Sequence, residues 1–137
     1  MATTNILVAG NEGHIADLAR ASVSDLDCQI ISAPAMSLAL FLAQKNLPDL
    51  ILCSFTMTDG DGWLFIKEVK SDEELSSIPF VFISAAATED IQKRALSEGA
   101  DSVLLYPLGA DQLRREIVPY INIRLAEKNP RDPQTPE

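Results

Sequence analysis

Basic residues are scarce in this chain: 11 lysines and arginines stand against 20 aspartates and glutamates, which gives a net charge of -9. A field of this sign repels nucleic acid and anionic membranes, and no basic run counters it. We therefore expect a protein that binds neither DNA nor a membrane surface.

Long apolar runs and a targeting segment are also missing. The longest apolar-rich run, residues 33–43, is too short to span a bilayer and carries a helical pattern. The first five residues hold no basic region and lead directly into a strand pattern, which argues against a signal peptide. These observations favour a cytoplasmic protein.

Cysteine and histidine are almost absent, with two and one residues respectively. Cys28 and Cys53 both lie in apolar, strand-like runs, so we expect buried reduced thiols rather than a disulfide or redox pair. The single histidine, His14, lies in a helical pattern, where a surface or partly packed ring is expected.

The overall composition is that of an ordinary globular domain. With 47% hydrophobic and 23% charged residues, the chain of 137 residues can build one core. Short apolar runs predict strands at residues 6–9, 28–32, 50–53, 79–84 and 102–105, and helical patterns separate them. The alternation predicts a doubly wound, flavodoxin-like α/β fold: one parallel five-stranded sheet in the order 2-1-3-4-5 with five helices.

Local signals place several helix ends. Asn11 is expected to cap the first helix, and Pro34 suits the first turn of the second. Thr88 is expected to cap the fourth helix, and Gly99 is well placed as the glycine that ends it.

The last helical pattern covers residues 108–126. Residues 127–137 hold three prolines among polar residues and predict a flexible tail or linker. We therefore expect one domain, residues 1–126, followed by this tail.

Three motifs indicate a known family. They are Pro48-Asp49-Leu50-Ile51-Leu52 at the entry of the third strand, Asp61-Gly62-Trp63 at the next helix, and Gly99-Ala100-Asp101 before the fifth strand. Over residues 5–126 the sequence resembles the response regulator receiver domain. The resemblance implies an aspartate that accepts a phosphoryl group after the third strand, and an acidic pair after the first strand that helps to hold magnesium.

At those positions this chain carries other residues. Ser54 stands at the acceptor position, and Gly10 and Asn11 stand at the acidic pair, with Glu12 next to them. Glu12 begins the helix and is expected to point partly away. Magnesium prefers carboxylate oxygens, and a serine hydroxyl needs a general base, so we expect no metal, no cofactor and no catalytic residue.

The remaining family positions follow the same trend. A lysine expected after the fifth strand is Tyr106 here, and the switch aromatic on that strand is Val103, whereas the switch hydroxyl is kept as Ser84. Tyr106 could donate to Ser54 or to a backbone carbonyl and fill the space left by lost charges. The bond from Tyr106 to Pro107 is expected to be cis.

Two further loops have weaker interpretations. Residues 10–13, Gly-Asn-Glu-Gly, lack the third glycine or the lysine of a phosphate-binding loop, so a tight turn is expected. Asp59 and Asp61 alternate with glycines, but two carboxylates are too few for a calcium loop, so a solvated turn is expected. Trp63 is expected at the flank of the crevice.

These observations predict a phosphorylation-independent receiver that is not an enzyme and serves as a protein-interaction module in two-component signalling. The partner would be a signalling protein, or a second copy bound through the fourth helix, fifth strand and fifth helix. Two alternatives stay open. One is a receiver phosphorylated at an unusual residue, Asp59 or Asp61, and the other is a domain that binds a small ligand in the neutral crevice between Gly10 and Ser54.

Overall fold

One parallel sheet organises the described part of the chain, residues 4–86 and 88–128 of a computed structural model, with side chains described to residue 124. The sheet has five strands in the order β2-β1-β3-β4-β5, as the alternation predicted. The strands are β1 (Thr4–Ala9), β2 (Cys28–Ala33), β3 (Leu50–Cys53), β4 (Phe80–Ser84) and β5 (Ser102–Leu105).

Five helices cover the two faces of this sheet. They are α1 (Gly13–Ser22), α2 (Met36–Asn46), α3 (Gly62–Ser71), α4 (Glu89–Ser97) and α5 (Ala110–Lys128). Buried residues of α1 and α5 pack on one face, and those of α2, α3 and α4 pack on the other. Strand β3 lies between these layers with all four residues fully buried, which explains its uninterrupted apolar sequence.

The helix-end signals were only partly correct. Thr88 caps α4, since its hydroxyl accepts from the Ile91 N–H at 3.3 Å, and Gly99 follows the helix with φ of +113°. The prediction for Asn11 was wrong, because α1 begins one residue later with Glu12 at the cap and no side-chain cap bond. The prediction for Pro34 was also wrong, because α2 begins only at Met36.

The last helix is shifted relative to its prediction, covering Ala110–Lys128 rather than residues 108–126. Residues 127 and 128 lie in this helix, and residues 129–137 of the predicted tail lie outside the described residues. A short antiparallel hairpin, Thr56–Met57 with Gly60–Asp61, was not predicted and occupies the loop after β3. No helix among the described residues is both long and apolar enough to cross a membrane.

Candidate functional site

Ser54 lies where β3 ends, at the sheet edge that the loops after the parallel strands share. Its N–H donates to the Ala9 carbonyl at 2.9 Å, and the residue is only 1% exposed. Its Oγ is buried and has no hydrogen-bond partner among the described residues. A buried hydroxyl without a partner is unfavourable, so the expected acceptor position holds a polar atom that is unsatisfied within the described part of the chain.

Gly10 closes the space above Ser54. Its φ of +133° is a conformation that side chains rarely adopt, and a Cβ added there would lie 2.6 Å from the Ser54 Cβ and 2.8 Å from its Oγ. No carboxylate side chain fits at this position without movement of the backbone. The two residues that were expected to flank a neutral crevice are thus in direct contact, which counts against a ligand bound between them.

Hydrogen bonds to Thr56 connect the loop after β1 with the hairpin. The Thr56 hydroxyl lies 3.1 Å from Asn11 Oδ1 and 3.1 Å from Glu12 Oε2, and the Asn11 N–H donates to the Thr56 carbonyl at 3.2 Å. A hydroxyl has one proton, and the charged Glu12 oxygen is the stronger acceptor. Glu12 was expected to point partly away, and its partly exposed carboxylate contacts the Thr56 hydroxyl at the rim of the site.

The donor set does not fit magnesium. It offers the neutral Asn11 and Ser54 oxygens, a Thr56 carbonyl that already accepts a hydrogen bond, and one carboxylate bound to a hydroxyl. Magnesium in proteins is usually held by one or two available carboxylates in octahedral geometry. Within the described residues, no cluster of three or more histidine, cysteine or acidic side chains could hold a metal ion.

Tyr106 packs against His14 rather than reaching Ser54. The two ring centroids are 4.8 Å apart, and His14 Nε2 lies 3.5 Å from Glu12 Oε1. The suggestion that the phenol donates to Ser54 was wrong, since the serine oxygen has no partner in the described chain. The Tyr106–Pro107 bond is cis, as predicted. The histidine is half exposed, as expected, but its contact with Tyr106 had no sequence signal.

The side chains at the two switch positions, Ser84 and Val103, stabilise the structure around them. The Ser84 hydroxyl accepts from the Ala86 N–H at 3.0 Å and so stabilises the loop after β4. Val103 is half-buried and packs against the core cluster on the side of α2, α3 and α4. Neither side chain contacts Ser54 through a described hydrogen bond.

Asp59 and Asp61 lie in an exposed turn, as expected, and each of them also caps a helix. Asp59 accepts from the Ser37 hydroxyl at 2.6 Å and from the Met36 N–H, so it caps α2 from a distant loop. The Ser37 hydrogen bond is the main cause that holds the pKa of Asp59 below its usual value. Asp61 accepts from the Leu64 N–H at 2.8 Å at the start of α3.

An aromatic cluster flanks the site on the side of α3 and α4. Phe55 stacks on Phe82 with ring centroids 4.3 Å apart, and it lies 4.8 Å from the Trp63 ring. The Arg94 guanidinium lies 4.0 Å from the Trp63 centroid, which is a cation–π contact. The prediction placed Trp63 at the flank but missed Arg94, whose position depends on the packing of α4.

Both cysteines are reduced, as the sequence predicted. Cys53 is fully buried, and burial raises the pKa of its thiol well above the usual value. Cys28 is only half-buried, and burial raises its thiol pKa as well. A raised pKa keeps both sulfurs in the unreactive thiol form near neutral pH.

In a comparison with family models, the model for the response regulator receiver domain matches residues 6–118. The chain is 29% identical over 114 residues to the KDP operon transcriptional regulatory protein KdpE of Escherichia coli, covering 83% of this chain and 49% of KdpE. It is 30% identical over 100 residues to the sensor histidine kinase TmoS of Ectopseudomonas mendocina, covering 73% of this chain and 10% of TmoS. The chain thus spans half or less of the length of these relatives.

Among solved structures, the chemotaxis response regulator CheY4 of Vibrio cholerae superimposes with a TM-score of 0.78 at 18% identity. The alignment covers 87% of this chain and 99% of CheY4. At this identity the likeness concerns the fold, and it agrees with the strand order described above.

Proposed function

Because this chain belongs to the response regulator receiver domain family, we propose that it is a receiver that works without phosphorylation, as a protein-interaction module. Receiver domains are modules of two-component signalling and interact with signalling proteins such as histidine kinases. The relatives include both a transcriptional regulatory protein and a sensor histidine kinase. The phosphorylation-independent mode is the part that is specific to this chain.

The proposal depends most on one observation: the Ser54 hydroxyl is buried against Gly10 and has no hydrogen-bond partner among the described residues. A phosphoryl acceptor must be reached by its donor and must act as a nucleophile. Ser54 is 1% exposed, and the only histidine, His14, is turned toward Glu12 and Tyr106. Without a base in contact, a serine hydroxyl is a weak nucleophile at neutral pH.

The charge changes around Ser54 support the same proposal. The family's acidic pair and lysine are replaced by Gly10, Asn11 and Tyr106, and the Glu12 carboxylate lies at the rim of the site. An isolated buried charge is costly, which makes the joint loss of carboxylates and lysine physically consistent. A site of this kind holds one conformation through packing, with no phosphoryl group to recognise.

Two observations weigh against phosphorylation at another aspartate. The Asp59 carboxylate is bound by the Ser37 hydroxyl and the α2 N-terminus, and Asp61 is bound by the α3 N-terminus. Phosphorylation of either residue would break a helix cap. The small-ligand alternative is disfavoured by the direct contact of Gly10 with Ser54.

For the partner surface, we propose the face formed by α4, β5 and α5. Leu96 on α4 is 51% exposed and Leu105 on β5 is 57% exposed, so both offer apolar area to a partner on this face. The partner is a signalling protein or a second copy of the chain, and the net charge of -9 argues against nucleic acid and membranes. A cytoplasmic location is part of the proposal.

Incubation with acetyl phosphate and magnesium, followed by intact-mass measurement, tests the proposal. A receiver that carries the acceptor aspartate serves as the positive control and gains one phosphoryl group. The present chain is expected to keep its mass, and so is its Ser54→Asp variant, because Gly10 and Asn11 still provide no carboxylate to hold the metal. A phosphoryl adduct on the unaltered chain would contradict the proposal.

The partner surface has a separate test. Sedimentation velocity of the chain and of its Leu105→Glu variant shows whether the face joins two copies, with the exposed Leu38→Glu variant on α2 as a control. A dimer that only Leu105→Glu dissociates supports self-association. A dimer that survives Leu105→Glu places the interface elsewhere.

A further inference from the structure

A cleft of about 240 Å³ lies at the end of the sheet opposite Ser54, where β4 and β5 begin. Residues of α3, of the turn before β4, of the start of β5 and of α5 line it. It is separate from the site described above, because the strands are parallel and Ser54 follows the far end of β3. The receiver interpretation assigns nothing to this cleft.

Lys70 is held in a fixed position in the cleft. A Cβ added at Gly99, where φ is +113°, would lie 3.1 Å from the Lys70 Cγ and Cε, so the aliphatic stem packs closely along this glycine. The Nζ atom donates to the Ser76 carbonyl at 3.0 Å. An ammonium group has three protons, so this single described hydrogen bond leaves donors that can serve a ligand.

The charge of Lys70 is only partly balanced. Burial lowers the pKa of the Lys70 ammonium, and the neighbouring Asp101 carboxylate opposes this effect. One oxygen of Asp101, Oδ2, already accepts from the Phe80 N–H at 2.9 Å. An added anion would supply the counter-charge that the half-buried ammonium lacks.

Ser77 adds a second donor beside the ammonium. Its Oγ accepts from Arg124 Nη1 at 3.4 Å, which leaves the hydroxyl proton for another acceptor. The cleft therefore places the Lys70 ammonium and the Ser77 hydroxyl beside the Asp101 carboxylate.

We propose that this cleft binds a phosphate group, with the Lys70 ammonium and the Ser77 hydroxyl as its donors. A phosphate oxygen accepts charge-assisted hydrogen bonds from an ammonium, and the cleft volume is large enough for the group. The group comes either from free inorganic phosphate or from a phosphoserine of a partner protein. The proposal does not depend on how Ser54 behaves, because the two sites lie at opposite ends of the sheet.

Titration with inorganic phosphate, followed by heteronuclear NMR at constant ionic strength, tests this proposal. We expect saturable shifts at Ser76, Ser77 and Ser102, with Gly10 unmoved, and weak affinity in the millimolar range. Lys70→Gln should weaken binding about tenfold, the loss of a charged hydrogen bond. Lys67→Gln is the matched control, since this exposed lysine lies one turn away on the same helix, and it should leave the affinity unchanged.

A second variant tests the proposal even if Lys70→Gln does not fold. Ser77 is exposed, so Ser77→Ala should fold normally and still weaken phosphate binding. A parallel titration with a phosphoserine peptide separates the two sources, since the tighter ligand identifies the source. Equal shifts with chloride, equal affinity of Lys70→Gln and Lys67→Gln, or shifts centred on Ser54 would each overturn the proposal.

Discussion

Replacement of Ser54 by alanine should stabilise the protein, although it removes a polar side-chain atom from the centre of the site. The Ser54 Oγ is buried and has no partner among the described residues, so folding removes it from water without a compensating hydrogen bond. An unsatisfied hydroxyl of this kind costs about 1–3 kcal/mol. The Cβ that packs against Gly10 is kept in the variant.

The loss of the oxygen also removes a few dispersion contacts, each worth about 0.1–0.2 kcal/mol. The net change in the free energy of unfolding should therefore be a gain of about 1 kcal/mol, which corresponds to about 3–5 °C in Tm for a domain of this size. Urea unfolding followed by Trp63 fluorescence and circular dichroism measures it, and an unchanged m-value is needed for this interpretation.

Ser22→Ala is the matched control. Ser22 is equally buried, at 3% exposure, but its hydroxyl donates to the Ala19 carbonyl at 2.8 Å. Removal of that hydroxyl loses a satisfied hydrogen bond while improving helix propensity, so we expect no comparable gain. A loss of about 1 kcal/mol or more in Ser54→Ala would refute the reasoning, because it would mean that the hydroxyl has a partner in solution.

Three other changes test the surrounding structure. Gly10→Ala should destabilise the protein by about 2–4 kcal/mol, because φ is positive at Gly10 and the added Cβ would lie 2.6 Å from the Ser54 Cβ. Gly13→Ala is the control and should not destabilise in this way, since no atom lies within 4 Å of a Cβ added there. Thermal unfolding of both variants measures the difference. Asp59→Ala should lower Tm at neutral pH, because the pKa of Asp59 in the folded protein lies below its usual 3.8. The stabilisation by the Asp59 carboxylate is fully present above pH 3.8 and is lost as the pH falls through the folded pKa. Equal Tm differences between variant and unaltered chain at neutral and strongly acid pH would contradict this prediction. Pro119→Ala, at an exposed position of α5, should stabilise the protein by about 1–2 kcal/mol in urea unfolding, because proline interrupts the helical hydrogen-bond pattern. A loss of stability would contradict this prediction.

The sheet could be predicted because its signals are local. Each buried strand is an uninterrupted apolar run, as in Leu50–Cys53, and the intervening helices force parallel pairing. Thr88 and Gly99 also act within a few residues of their own positions, so their roles could be inferred. The start of α2 could not, because its cap is Asp59, which lies 22 residues beyond Ser37 in the chain.

In the candidate site, too, local sequence signals could be interpreted and long-range contacts could not. The identity of the replaced positions could be inferred from the family motifs, since Ser54 and Gly10 follow recognisable strands. Their contacts could not: whether Glu12 turns inward depends on the hairpin that brings Thr56 near it, and that hairpin joins strands of only two residues. Tyr106 likewise packs on His14 because α1 passes beside the end of β5, which is a matter of tertiary packing.

The most direct test of a phosphorylation-independent receiver is a heteronuclear NMR titration with magnesium and then with magnesium and beryllofluoride, which imitates a phosphoryl group. The resonances of Gly10, Ser54, Ser84 and Trp63 report on the site. The account predicts that none of them shifts at millimolar magnesium, with or without beryllofluoride. Saturable shifts at these residues would contradict it, because they would show that the neutral site still binds the metal and the phosphoryl mimic.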